Sequence, residues 1–134
     1  AVWVRHIADS AQFLDYVPRE TGIWLDLGTG AGFPGLVIAA MRPDQELILV
    51  ESRRLRVDWL LHLTNVLALT NCRIEGRDVK RMTTLPAAVI SARAFAPLPR
   101  LVALSARFST KQTRWVLPKG RSAAQEVAAL PTGQ

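Results

Sequence analysis

The stretch Trp24-Leu-Asp-Leu-Gly-Thr-Gly-Ala-Gly-Phe-Pro-Gly35 carries an apolar segment into an acid and then through a turn containing four glycines. Glycine lacks Cβ, so its backbone takes positive φ without a steric penalty and can approach a ligand closely. Pro34 presets φ for the first turn of a following helix. The segment therefore reads as strand, loop and helix, a cradle in which a nucleoside-bearing cofactor would sit.

Two cofactor classes compete for this cradle. Gly30-Ala-Gly32-Phe-Pro-Gly35 fits the dinucleotide fingerprint Gly-x-Gly-x-x-Gly, and Glu51, closing the apolar run Leu47-Ile-Leu-Val50, falls where an acid would take ribose hydroxyls. Spacing alone leaves NAD open. Asp26, two residues before Gly28, completes Asp-x-Gly-x-Gly-x-Gly, which resembles motif I of the S-adenosylmethionine-dependent methyltransferases. A carboxylate near the loop suits a cofactor carrying an ammonium and a sulfonium, whereas it would repel a pyrophosphate. On this reading Asp26 grips the cationic methyl donor. A glycine turn that serves packing alone is the third reading.

The chain has 134 residues, 49% of them apolar, enough to bury one core and too few for two ordinary domains. No apolar run approaches the roughly 18 residues of a membrane span, and no segment has the layout of a signal peptide, so a cytoplasmic protein without membrane contact is expected. The single Cys72 cannot form an internal disulfide, and no Cys/His spacing suggests zinc. Cys72 is expected as a small buried strand residue.

The net charge of +6 is unevenly spread. Residues 1–78 hold eight Lys/Arg against ten Asp/Glu, while residues 79–125 hold nine Lys/Arg and no acid. Such a block suits attraction to a polyanion, with salt-dependent affinity and no reading of sequence. A basic but merely solvated surface is the alternative.

Beyond the glycine turn, the patterning predicts a helix over 34–41, a strand over 46–51, an amphipathic helix over 53–69, strands over 72–75 and 87–92, a helix over 98–108 and a strand over 113–117. In the amphipathic helix Leu55, Trp59, Leu60, Leu63 and Leu67 recur at helical spacing and are expected to pack on the core. Trp24 and Trp115 are also expected in the core, and His62 in solvent. Alternating strands and helices demand an α/β fold with a parallel sheet and helices on both faces. Ligands then bind beyond the carboxyl ends of the strands, where the strand order reverses. Asp26, Glu51 and Asp78 each lie at or just after a predicted strand end.

Taken in order, Val4-Arg-His-Ile-Ala-Asp-Ser10, the Asp26–Gly35 motif, Gly76-Arg-Asp-Val79, Ile90-Ser-Ala-Arg-Ala-Phe95 and Lys119-Gly120 resemble the glucose-inhibited division protein B family. The resemblance spans residues 4 to about 130. It implies a Rossmann-like class I methyltransferase domain over 1–134, shorter than the family's usual length at both ends and lacking its last strands. It further implies transfer of a methyl group from S-adenosylmethionine to N7 of a guanine in the 530 loop of 16S ribosomal RNA, with that RNA or the small ribosomal subunit as partner of a monomeric enzyme.

Carried over position by position, the resemblance puts Asp26, Gly28, Thr29, Gly30, Gly32 and Phe33 around the cofactor, Glu51 on the ribose, and Asp78 and Val79 along the adenine. Arg93 would reach the cofactor pocket and position the target guanine. Lys119, Arg121, Arg77 and His6 would face RNA, and Asp9 and Ser10 would help His6 to close the pocket. No residue is assigned as an acid or base, because guanine N7 carries an exposed lone pair and attacks without deprotonation. An NAD-dependent oxidoreductase and a non-catalytic basic RNA-binding module are the competing functions.

Overall fold

The computed structural model describes residues 14, 17, 22–29, 32, 34–92 and 98–116. Within them the chain runs β1 (Trp24–Leu27), α1 (Gly35–Met41), β2 (Leu47–Val50), α2 (Arg54–Val66), β3 (Cys72–Glu75), a 3-10 turn (Val79–Arg81), β4 (Ala87–Ala92), α3 (Leu98–Ser105), a second 3-10 turn (Ala106–Phe108) and β5 (Ser109–Val116). The five strands form one parallel sheet in the order β3-β2-β1-β4-β5. The order reverses beside β1, so the loop leaving β1 lies at the switch point expected to hold a ligand.

Alternation along β1 sorts its side chains between two cores. Leu25 and Leu27 join Ile48, Val50, Ile90 and Ala92 on one face, covered by Leu101 and Phe108. Trp24, Leu47, Leu49 and Val89 face the other way, beneath Leu36, Ile38, Ala39 and Leu60. Helices thus cover both faces, α1 and α2 on one and α3 on the other. β1 and β2 are buried at every residue, as strands flanked and covered on all sides must be. Among the described residues, no helix is long and apolar enough to cross a membrane.

Several expectations need correction. The crossover from β3 to β4 carries only a three-residue 3-10 turn, so helices do not alternate with strands throughout. β5 starts four residues earlier than expected, at Ser109, and its register against β4 shifts between Ala87 and Val89. The largest departure is α2. Leu60 is fully buried and Leu63 packs against the core, but Leu55 is 84% exposed, Trp59 46% and Leu67 52%. At about 100° per residue the five positions share one arc of about 140°, but only its middle and far part, at Leu63 and Leu60, meets the core; Leu55 and Trp59 lie at the opposite edge of the arc and Leu67 caps the end of the helix. Trp24 is wholly buried and His62 exposed as expected, whereas Trp115 is only partly covered.

Candidate active site

The loop after β1 is built by local backbone requirements. Gly28 ends the strand at φ +63° and Gly32 turns the chain at φ +107°, both in territory that favours glycine. The Thr29 N–H donates to Val50 O at 3.1 Å, which ties the loop to the end of β2. Gly32 N–H returns to Thr29 O at 3.0 Å and Leu36 N–H to Gly32 O at 2.7 Å, so the turn feeds directly into α1 with Pro34 as its N-cap. A Cβ on Gly32 would meet Leu36 Cδ1 at 2.3 Å, and one on Gly35 would meet Leu49 Cγ at 2.7 Å and Asp26 Oδ2 at 2.8 Å. Gly35 is thus demanded by the packing of α1 on the sheet, and Gly32 by its positive φ and the crowding of Leu36 and Leu60, whatever the loop binds.

Asp26 does not lie open to a ligand as the sequence suggested. Its side chain points to the α1 face of the sheet and is 0% exposed. Thr29 Oγ1 donates to Asp26 Oδ2 at 2.7 Å and Ser91 Oγ donates to Oδ1 at 2.8 Å, while Trp24 Nε1 donates to Ser91 Oγ at 2.8 Å. The register explains the meeting, because Asp26 pairs with Ser91 across β1 and β4 and Trp24 shares the face of Asp26. Satisfied in this way, a buried carboxylate is tolerable. Through Thr29 it holds the first turn of the glycine loop. Trp24 and Ser91 were missed as polar participants. The available signal was a lone hydroxyl inside the apolar run Ala87-Ala-Val-Ile-Ser-Ala92.

Glu51 directly follows β2 and is 7% exposed. Its N–H donates to Glu75 O at 3.1 Å, and its Oε2 accepts the N–H of Arg53 at 3.0 Å. The bonds from Thr29 to β2 and from Glu51 to β3 step along the carboxyl edge of the sheet, joining the loops after β1, β2 and β3 into one rim. Asp78 lies on that rim, its Oδ1 accepting Lys80 N–H at 2.9 Å as the cap of the 3-10 turn. Val79 is 7% exposed and belongs to the Leu25 core, so it offers a ligand little more than an edge. Arg77 Nε binds Glu75 Oε1 at 2.8 Å while its side chain stays 55% exposed. Of the three acids expected at strand ends, Glu51 directly follows β2 and Asp78 lies in the loop after β3, while the Asp26 side chain is buried within the sheet. His6, Asp9, Ser10, Gly30, Phe33, Arg93, Lys119 and Arg121 lie outside the described residues.

No group of His, Cys, Asp and Glu among the described residues is arranged to hold a metal. Cys72 is partly rather than fully buried, and burial first, then the negative charge of Asp26, pushes its thiol up to about 12. At neutral pH it is protonated and a poor nucleophile.

This fold recurs in known methyltransferases. The chain superimposes on coclaurine N-methyltransferase bound to N-methylheliamine and SAH with a TM-score of 0.73 at 16% identity, covering 84% of this chain and 34% of that one. A SAM-dependent methyltransferase from Aquifex aeolicus gives a TM-score of 0.69 at 16% identity, over 90% and 75% of the two chains. At these identities the likeness is one of fold, the class I methyltransferase fold. Sequence relatives are much nearer. Ribosomal RNA small subunit methyltransferase G of Erythrobacter litoralis is 64% identical over 96% of this chain and 62% of its own length. The protein of the same name from Novosphingobium aromaticivorans is 57% identical over 97% and 57%. The chain thus spans about three fifths of the length of these relatives. The family model for GidB, rRNA small subunit methyltransferase G, matches residues 1–133. On that match, the chain belongs to the GidB family.

Proposed function

We propose that the protein transfers a methyl group from S-adenosylmethionine to N7 of a guanine in 16S ribosomal RNA, within the 530 loop, acting as a cytoplasmic monomer on that RNA or on the small subunit. The observation that carries the reading is the loop at the switch point, clamped to β2 by Thr29 and anchored from below by Asp26. Relatives named as rRNA methyltransferases favour methyl transfer over NAD-dependent oxidation and over RNA binding without catalysis.

The residues fit such a cofactor. Glu51 follows β2 at the carboxyl edge of the sheet, its Oε2 accepting the Arg53 N–H, and a carboxylate in that place suits the two hydroxyls of a ribose. Gly28, Thr29, Gly30 and Gly32 supply backbone around the methionine portion, Phe33 an apolar wall, and Asp78 with the edge of Val79 the adenine pocket. Asp26 serves as a positioning residue, fixing the loop through Thr29 instead of touching the methyl donor. Arg93 would orient the guanine, and Arg77, Lys119, Arg121 and His6 would meet RNA.

A bound sulfonium would supply an activated methyl and a neutral thioether leaving group, and guanine N7 would need no general base, since it carries its own lone pair and has no proton to lose. The protein therefore contributes alignment of the two reactants, which alone supplies a large rate factor. The target base must also leave its stack to be reached. Incubation with methyl-labelled cofactor and small-subunit RNA, followed by mapping of the modified base, tests the reading: label at a guanine N7 is expected. Tight NAD binding without S-adenosylhomocysteine binding would overturn it.

A further inference from the structure

The first turn of α2 carries a charge pattern that the helix itself opposes. Arg53 is its N-cap, Arg54 and Arg56 lie in its first turn, and no acid accompanies them there. Cations at a helix N-terminus are disfavoured by the macrodipole and by the unpaired N–H groups. Arg53 makes no side-chain capping bond. All three arginines are exposed, and among the described residues their side chains form no ion pair. Asp58, four residues beyond Arg54 at the spacing of a helical salt bridge, does not pair with it. Glu51, whose Oε2 accepts the Arg53 N–H at 3.0 Å, brings a carboxylate to the helix start, but among the described residues none of the three guanidinium groups pairs with an acid.

A second observation lies one turn further along. Trp59 is 46% exposed, and its ring stands 6.0 Å from that of His62, with the two planes tilted by 35°. Trp59 follows Arg56 at the i, i+3 spacing that makes neighbours on a helix, and a half-open indole so placed suits stacking of an unpaired base while the arginines hold phosphates. The placement is apt, because α2 begins just after Glu51 on the carboxyl rim of the sheet, beside the candidate site.

We propose that Arg53, Arg54, Arg56 and Trp59 form an RNA-docking face, with the arginines on backbone phosphates and Trp59 under a base of a single-stranded segment. The proposal rests on the reading of the protein as an rRNA methyltransferase. It places part of the RNA contact in the acid-rich first half of the chain, away from the basic block of residues 79–125.

The test combines Arg53→Gln, Arg54→Gln and Arg56→Gln in the full chain. Binding of a labelled small-subunit RNA fragment is followed by fluorescence anisotropy between 50 and 200 mM salt, as chosen to resolve counterion release. Three lost phosphate contacts reduce the slope of log K against log salt by about 2. Binding of S-adenosylhomocysteine, measured by calorimetry, stays within about twofold, and the melting temperature holds or rises because the helix loses unfavourable charges. Trp59→Ala weakens RNA binding by about five- to a hundredfold, the range of one stacked base, while Trp59→Phe retains most of it. An unchanged slope and affinity in the triple variant would overturn the docking face alone. Parallel loss of cofactor binding and stability would overturn it too, marking a structural role. Failure of the unsubstituted protein to bind the RNA would instead sink the methyltransferase reading beneath it.

Discussion

Ser91→Ala is the sharpest probe of how the sheet holds the glycine loop. The Ser91 hydroxyl gives its proton to Asp26 Oδ1 at 2.8 Å and accepts the indole N–H of Trp24 at 2.8 Å, with all three residues 0% exposed. Alanine removes one atom and opens little volume, so the loss is almost wholly polar. A hydrogen bond to a charged group contributes about 1.5–3 kcal/mol, and a buried N–H left unsatisfied costs about 1–3 kcal/mol. Because water cannot reach the site, we expect a destabilisation of about 2–4 kcal/mol, allowing for partial relaxation. Trp24→Phe removes the donor at the other end, so the double variant should fall short of the summed single effects, with a coupling of about 0.5–3 kcal/mol. Urea unfolding supplies the free energies, and calorimetry with S-adenosylhomocysteine reports whether the loop loses its seating, expected as weakened binding under conditions where the variant remains folded. A destabilisation below about 0.5 kcal/mol, or strictly additive variants, would refute the argument that this chain of bonds holds Asp26.

Three further outcomes follow from the packing. Gly35→Ala drives a Cβ to within 2.7 Å of Leu49 and 2.8 Å of the Asp26 carboxylate, so thermal unfolding should show a loss of about 1–3 kcal/mol from overpacking. Leu60→Ala should destabilise by about 2–5 kcal/mol, whereas Leu55→Ala, at a position 84% exposed, should stay within about 0.5 kcal/mol, and equal effects in urea titration would contradict the assigned faces of α2. Cys72, with its thiol pushed up to about 12, should resist alkylation at pH 8 in the folded protein and react promptly in urea. The raised value keeps the folded thiol protonated, so the stability it contributes is present below the ordinary value of 9 and drains away as pH rises toward 12.

Local chemistry made much of the fold readable. The strand at Trp24–Leu27, the glycine loop and α1 are specified by residues whose backbone needs are their own: glycine at positive φ and a proline that opens a helix. Apolar runs ended by polar residues located β2 and β4 within a residue or so, and β3 lies where it was expected, over Cys72–Glu75. The family motifs then supplied the expected chemistry. Helix faces were less legible, since the five apolar residues of α2 share one broad arc and spacing does not say which part of it the sheet covers. The exposed arginines at its start were equally hidden, because a charge opposed to the macrodipole is noticed only once the helix boundary is known.

The identity of the loop, the class of the fold and the presence of Glu51 at a strand end were determined by sequence, because each depends on residues close together in the chain. The direction in which Asp26 points was decided only by tertiary structure. Its partner Ser91 is 65 residues away and meets it solely because β1 and β4 pair in parallel at that register. A shift of one residue would turn the same carboxylate to the opposite face. Spacing could therefore announce an acid at the loop, but only the assembled sheet could make it a buried anchor.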